Sequence, residues 1–96
     1  MKSNEERIHV SIRVYGKVQG VLYRRWTMRQ AQDLAVKGFV KNNKDGTVSI
    51  EAEGSSEDLR KLLRRCHSGS AFACVEKVEA IYSNDLMMFE TFIIKW

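Results

Sequence analysis

Residues 16–25 constrain the fold most, because they join an alternating strand pattern to a helical pattern through two glycines. The segment reads Gly-Lys-Val-Gln-Gly-Val-Leu-Tyr-Arg-Arg. Glycine permits tight turns and positive φ angles, so consecutive N–H groups can point into one concavity. The helix that follows directs its free N–H groups and its positive end toward the same point. Residues 16–21, which we call the glycine loop, therefore predict an anion site whose donors are the N–H groups of Lys17, Val18, Gln19, Gly20 and Val21.

Of the two arginines at the start of this helix, Arg24 is the one predicted to face the concavity. At about 100° per residue, Arg24 falls on the same side as Tyr23 and Thr27, whereas Arg25 falls on the opposite, polar side. A guanidinium on the buried side of a helix requires an anion. An internal carboxylate or a side chain that extends to solvent would also satisfy it. The adjacent glycine loop favours an external anion.

The length of the chain predicts a single domain over residues 1–96, since 96 residues support one two-layer core but not a second. Residues 1–7 are polar and charged, and no segment approaches the length of a membrane span, so we expect a cytoplasmic protein without a membrane partner. Cys66 and Cys74 show no metal-binding spacing and fit a reducing compartment. We expect the protein to be a monomer.

The formal net charge of +4 favours anionic partners, but it does not separate phosphorylated metabolites from nucleic acids. The basic residues are dispersed along the chain and form no stripe interleaved with aromatic residues, which an RNA-binding sheet would show. We therefore rank a small anionic ligand above nucleic acid and expect no nucleic-acid partner.

The first half of the chain predicts a strand, a helix and a hairpin. Residues 8–14 alternate between apolar and polar side chains, which is typical of a strand with one buried face. A helix is predicted from about residue 23 to residue 36, with Gly38 ending it. Residues 39–43 and 47–53 then form two strands joined by an Asp-Gly turn at Asp45, so the pair is antiparallel.

The second half predicts another helix and two further strands. Serines and acidic residues at positions 55–58 are typical of a helix start, and apolar residues at 59, 62, 63 and 66 form its buried stripe. Strands follow at about residues 73–82 and near the end of the chain, where Phe92, Ile94 and Trp96 alternate. The order is a ferredoxin-like βαββαβ arrangement in the α+β class: an antiparallel sheet with two helices on one face, plus a short C-terminal strand.

The residues available for chemistry favour an enzyme that works by positioning its substrate. His9 alternates outward and His67 lies at a helix end, so both are interpreted as surface residues. No nucleophile and base pair, carboxylate pair or metal-ligand spacing is apparent, and we expect no metal and no cofactor. Phosphoryl transfer requires mainly charge stabilisation and alignment. Because the sequence offers no clear general acid, the leaving group should be good on its own, as a carboxylate with a pKa of about 4 is.

A water nucleophile still needs orientation, and Asn42 and Asn43 follow the second strand. A neutral amide can both donate a hydrogen bond to one water and accept one from it. A right-handed crossover brings the end of this strand toward the glycine loop, but spacing alone does not choose between the two asparagines. Either could instead be a turn residue beside Asp45.

The two motifs together resemble those of the acylphosphatases. Residues 16–24 match the family signature G-x-V-Q-G-V-x-[aromatic]-R, and residues 38–42 match the later G-[aromatic]-V-x-N. The resemblance covers nearly the whole chain, with departures at Ala35, where glycine is common, at Ser70, where proline is common, and at Trp96. It implies a metal-independent hydrolase of small acyl phosphates, with Arg24 binding the phosphoryl group and Asn42, rather than Asn43, orienting the water.

The resemblance also implies a product and an alternative. Inorganic phosphate is the expected product and a competitive inhibitor. A non-catalytic phosphate-binding module, or one that handles carbamoyl phosphate on the same fold, is the alternative to an enzyme. Asn42 favours the enzyme, because a protein that only binds an anion has no evident need for an amide at that position.

Overall fold

A computed structural model describes residues 6–20 and 22–96 and has the predicted order of elements. The elements are β1 (Arg7–Lys17), α1 (Tyr23–Asp33), β2 (Lys37–Asn42), β3 (Val48–Ser55), α2 (Ser56–Ser68), β4 (Cys74–Ser83) and β5 (Phe92–Lys95). Both helices pack against one face of the sheet. Neither helix in the described part of the chain is long and apolar enough to cross a membrane.

The five strands form one sheet in the order β4-β1-β3-β2-β5. The first four strands pair antiparallel, as predicted, and the ferredoxin-like βαββαβ arrangement is confirmed. The sheet as a whole is mixed rather than antiparallel, because β5 pairs parallel with β2. The connection of residues 84–91 crosses from the β4 edge to the β2 edge and reverses the chain direction. As a result, β1, β2 and β5 run in the same direction, and their carboxyl ends lie at the same end of the sheet.

The core lies between the sheet and the two helices. Alternate residues of β1 and β3 point into it, and Tyr23 joins the helices because its hydroxyl donates to the carbonyl of Cys66 at 3.1 Å. Tyr23 is 1% exposed, and burial raises its pKa far above the ordinary value. This contact ties the start of α1 to the end of α2, so the first turn of α1 has a fixed position.

The end of α1 differs from the prediction. Gly38 does not end the helix but lies in β2, where its missing Cβ allows close approach to the β3 backbone. The left-handed position after the helix is occupied by Ala35, with φ of 58°. The N–H of Ala35 donates to the carbonyl of Gln32, and the N–H of Val36 donates to that of Ala31. These are the two hydrogen bonds of a Schellman motif, in which glycine normally holds the left-handed position.

We expect Ala35→Gly to raise the free energy of unfolding by about 0.5–1 kcal/mol, because the left-handed conformation costs alanine more than glycine. Ala35 is exposed, so the lost methyl group removes no core packing. Urea unfolding measures the change. Ala71→Gly is the control, since Ala71 is also exposed but has no positive φ, and it should not be stabilised. Equal effects at both positions would contradict this explanation.

The opposite face of the sheet carries a buried charged cluster around His9. The predicted outward direction of His9 is right, but its interpretation as a surface residue is wrong, since it is 6% exposed. Its Nδ1 lies 2.8 Å from a Glu53 oxygen and its Nε2 lies 2.6 Å from a Glu51 oxygen. Both ring nitrogens face carboxylates, an arrangement that favours the imidazolium form of His9, in which both nitrogens donate. Residues 84–91 cover this face, and strand alternation cannot reveal such a cover.

Glu53 holds this cover on the sheet. It is 0% exposed and accepts hydrogen bonds from the N–H groups of residues 87–89. Burial alone would raise the pKa of Glu53, but hydrogen bonds from His9 and from this backbone outweigh it and lower the pKa below its ordinary value. Burial likewise opposes the charge on His9, yet its hydrogen bonds to Glu53 and Glu51 raise its pKa.

We expect this cluster to stabilise the fold most between the ordinary pKa values of glutamate and histidine, 4.5 and 6.5. The lowered pKa of Glu53 gives stability that is present above 4.5 and is lost as the pH falls through its folded-state value. The raised pKa of His9 gives stability that is present below 6.5 and is lost as the pH rises through its folded-state value. Glu53→Gln should cost about 3 kcal/mol and flatten this profile, measured by urea unfolding from acid to alkaline pH. Glu76→Gln, at an exposed residue outside this cluster, is the control, and equal profiles would contradict the prediction.

Candidate active site

The candidate site lies at the end of the sheet where the carboxyl ends of β1, β2 and β5 meet. The glycine loop follows β1, Asn42 is the last residue of β2, and Trp96 follows β5. The crossover through α1 places the start of that helix over the same end of the sheet. Residues far apart in sequence therefore converge because three strands run in the same direction.

A cavity of about 210 Å³ opens at this point, and we call it the Arg24 cavity. It is lined by Val18, Gly20, Leu22, Tyr23, Arg24, Arg25, Asn42, Ile94 and Trp96. The structure thus brings Arg24 and Asn42 together with two residues of the glycine loop. Lys17 and Gln19 do not line it, and Val21 lies outside the described residues.

The chain between β1 and α1 passes through two left-handed positions. Gly20 has φ of 72° and Leu22, at the start of α1, has φ of 63°. Leu22 is not a glycine, so this backbone carries strain of order 1–3 kcal/mol, which is typical of functional sites. Gly16 does not form part of the turn as predicted, since it lies within β1 at a bulge against β4.

The side chain of Gln19 fixes the loop to the β2–β3 hairpin. Its Nε2 donates to the carbonyls of Asn43 and Thr47, both at 2.8 Å. From the sequence, only the backbone N–H of Gln19 was expected to act, and this side-chain contact was not predicted. It sets the spacing between the glycine loop and the end of β2, and therefore between the loop and Asn42.

The Arg24 side chain is half-buried, whereas Arg25 is exposed, in agreement with their predicted helix phase. Within residues 6–20 and 22–96, no carboxylate forms an ion pair with Arg24. Its guanidinium instead donates to the Lys95 carbonyl at 3.4 Å, and its Cζ lies 4.2 Å from the centre of the Trp96 ring. These neutral contacts orient the guanidinium and leave its charge uncompensated.

The two adjacent asparagines have different surroundings. Asn43 donates to the hydroxyls of Thr47 and Ser49, at 2.9 and 2.7 Å, and so serves the hairpin. Asn42 lines the Arg24 cavity, and its buried Oδ1 has no hydrogen-bond partner among the described protein atoms. A buried acceptor without a protein partner is uncommon and calls for an explanation.

Five residues of the cavity were not among the predicted site residues: Leu22, Tyr23, Arg25, Ile94 and Trp96. Ile94 and Trp96 enter it because β5 lies beside β2, and strand alternation alone does not reveal a neighbour. Arg25 was assigned to the solvated face of the helix, and although exposed it also lines the cavity. In the part of the chain that the structure describes, no group of three or more His, Cys, Asp and Glu side chains is placed to hold a metal ion.

The sequence and the fold are similar to those of known proteins. The acylphosphatase of Salinibacter ruber is 40% identical over 95 residues, which is 99% of each chain. The crystal structure of acylphosphatase from Bacillus subtilis superposes with a TM-score of 0.91 at 32% identity, covering 93% of this chain and 99% of that one. Full-length HypF, solved in a phosphate- and nucleotide-bound form, shares the fold at 24% identity and a TM-score of 0.90, and the match covers 13% of its length.

The model of the acylphosphatase family matches residues 10–94. Taken with the identity to the Salinibacter protein, this places the chain among hydrolases that act on acyl phosphates and release inorganic phosphate. The chain belongs to the acylphosphatase family.

Proposed function

We propose that the Arg24 cavity is the catalytic site, and that a water oriented by Asn42 attacks a phosphoryl group held by the glycine loop and Arg24. The observation that carries this proposal is that Arg24 and Asn42, from separate elements, line one cavity together with Gly20. The attack displaces the carboxylate, so that the carbon–oxygen bond stays intact and the phosphorus–oxygen bond breaks.

The glycine loop and Arg24 bind the phosphoryl oxygens in this proposal. Val18 and Gly20, which line the cavity, offer their backbone N–H groups directly, and the sequence prediction adds those of Lys17, Gln19 and Val21, together with the positive end of α1. The uncompensated charge of Arg24 adds a fork of donors that matches the geometry of a phosphoryl group. These contacts lower the barrier to reaction to the extent that they bind the transition state more strongly than the bound substrate.

Asn42 positions the nucleophile. Its buried Oδ1 can accept a hydrogen bond from the water, and its amide can donate to the same water or to the phosphoryl group. Asn43 is unsuited to this role because its amide already donates to Thr47 and Ser49. This difference supports the assignment that the family resemblance implies.

The residues around the cavity provide no evident general acid, which suits a carboxylate leaving group. Such a group has a pKa of about 4 and leaves without a proton. Arginine and backbone N–H groups supply the positive field that a metal ion supplies in other phosphoryl-transfer enzymes. We therefore propose that the reaction needs neither a metal ion nor another cofactor.

The expected result is that the purified protein releases inorganic phosphate from acetyl phosphate at an undiminished rate in excess chelator. Added inorganic phosphate should inhibit competitively, because it binds the same donors. Its binding should shift the amide resonances of Lys17, Val18 and Gly20 in NMR spectra. Rate loss in chelator that Mg²⁺ or Zn²⁺ restores would overturn metal independence. Phosphate binding without any turnover would instead support the non-catalytic alternative.

We also propose that one chain is the functional unit. The described residues that line the cavity are brought together within one chain, by strand ends and the start of α1, so this arrangement does not require a second copy. A single domain over residues 1–96, acting as a monomer in the cytoplasm, remains our expectation. Sedimentation equilibrium at assay concentrations measures the mass, and activity that appears only with dimer formation would contradict it.

A further inference from the structure

A second groove, of about 220 Å³, adjoins the Arg24 cavity and shares Leu22 and Arg25 with it. Its apolar walls are the side chains of Leu22, Trp26 and Phe72. Arg25 and Arg29 also line it, and they are both exposed. The groove therefore lies next to the proposed phosphoryl site, along the side of α1, and we call it the acyl groove.

Two large apolar side chains are held in solvent beside this groove. Leu22 is 69% exposed and Phe72 is 73% exposed. Their positions are set by the backbone: Leu22 lies at the left-handed start of α1, and Phe72 lies in a turn closed by a 3.1 Å hydrogen bond from the Ala73 N–H to the Ser70 carbonyl. Adjacent exposed apolar side chains beside a cavity are typical of a ligand-binding surface.

We propose that the acyl groove binds the organic part of the substrate, so that the enzyme prefers acyl phosphates with an aromatic or similarly large apolar acyl group. The inference rests on the proposed placement of the phosphoryl group beside Arg24. It follows from adjacency, because a substrate whose phosphorus lies in the Arg24 cavity must extend its acyl group past one of the surrounding walls. The groove lies directly beyond the wall formed by Leu22 and Arg25, which line both spaces.

The size and charge of the groove fit this occupant. A cavity of about 150 Å³ lined by apolar side chains binds benzene, so 220 Å³ is enough for a phenyl ring. Arg25 lies where the cavity meets the groove, and its guanidinium is suited to receive the carboxylate oxygens of the departing acid. Within residues 6–20 and 22–96, neither Arg25 nor Arg29 forms an ion pair, so both remain attractive to an anionic substrate.

The test compares kcat/KM for benzoyl phosphate with kcat/KM for acetyl phosphate, whose methyl group is too short to reach Phe72. We expect the wild-type ratio to favour benzoyl phosphate and Phe72→Ser to lower that ratio about five- to tenfold, because one apolar wall is lost. The different intrinsic reactivities of the two substrates cancel when variants are compared. Ile81→Ser is the matched control, since Ile81 on β4 is 72% exposed and lies outside both spaces. It should leave the ratio unchanged.

A binding measurement keeps this test independent of turnover. Benzylphosphonate should bind more tightly than methylphosphonate, and Phe72→Ser should reduce that preference about five- to tenfold as well. If neither acyl phosphate is hydrolysed, the proposed function fails, and the phosphonates still decide the groove. If both are hydrolysed and both preferences are the same in Phe72→Ser as in the wild type, the acyl groove is wrong. A dimer lost in Phe72→Ser with unchanged preferences would assign this surface to self-association and overturn the proposal.

Discussion

Asn42→Ala is expected to lower kcat by about 10²–10³-fold while the inhibition constant of inorganic phosphate stays within about twofold. A residue that only aligns the attacking water contributes to the geometry of the reaction and not to holding the ligand. The phosphoryl donors, Arg24 and the glycine loop, remain intact in this variant. Steady-state kinetics with acetyl phosphate and phosphate as inhibitor give both quantities.

The free energy of unfolding of Asn42→Ala tests whether Asn42 has a catalytic or a structural role. Because the Asn42 Oδ1 is buried without a described protein partner, its removal should not lower the free energy of unfolding. Asn43→Ala is the matched control: it loses hydrogen bonds to Thr47 and Ser49 and should cost about 1–2 kcal/mol with kcat nearly unchanged. If Asn43→Ala abolishes turnover and Asn42→Ala does not, the assignment is wrong by one residue.

The fold was largely predictable because its signals are local. Period-two alternation in residues 8–14 and the helical stripe at residues 59–66 each depend on near neighbours in sequence. The direction of β5 was not predictable in this way, since it depends on how residues 84–91 cross the sheet. The same connection buries His9, whose alternation with the core residues is typical of an exposed side chain.

The site was predictable to different degrees for different residues. Helix phase alone separated Arg24 from Arg25, because burial follows the angular position along a helix. The spacing of residues in the sequence did not distinguish Asn42 from Asn43, and only the resemblance to the acylphosphatases favoured Asn42. The structural difference lies in the side-chain hydrogen bonds within the hairpin, where Asn43 donates to Thr47 and Ser49, and the sequence does not show which of the two asparagines makes them. Trp96 carried no signal, because its position beside Arg24 depends on the parallel pairing of β5 with β2.

Two residues with a strained backbone differ in whether the strain serves the proposed site. Ala35 and Leu22 both have positive φ angles. At Ala35 the residue ends a helix away from the Arg24 cavity, so relief of the strain should only stabilise the protein. Leu22 precedes α1 and lines the cavity, so its left-handed conformation helps to place the start of the helix there. Substitution of Leu22 by glycine would make the backbone of the proposed phosphoryl site more flexible.

Arg24→Ala is expected to lower kcat/KM by about 10²-fold or more and, unlike Asn42→Ala, to raise the inhibition constant of inorganic phosphate as well. A fixed cation that faces the phosphoryl oxygens acts on the bound substrate and on the transition state, so binding and turnover should fall together. Removal of the guanidinium should not unfold the protein, because its described contacts are one backbone carbonyl and the face of Trp96.

A second substitution at Arg24 distinguishes the contribution of its positive charge from that of its planar guanidinium geometry. Arg24→Lys keeps the positive charge but loses the planar fork, so it should recover part of the phosphate affinity and less of the turnover. Arg60→Ala, on the exposed face of α2, is the surface control and should leave both quantities unchanged. Arg25→Ala should cost less than Arg24→Ala, because Arg25 is more exposed and reaches the cavity from its outer side. If Arg25→Ala and Arg24→Ala lose equal activity, the phosphoryl group lies nearer to the acyl groove than proposed, and Arg24 is not its main ligand.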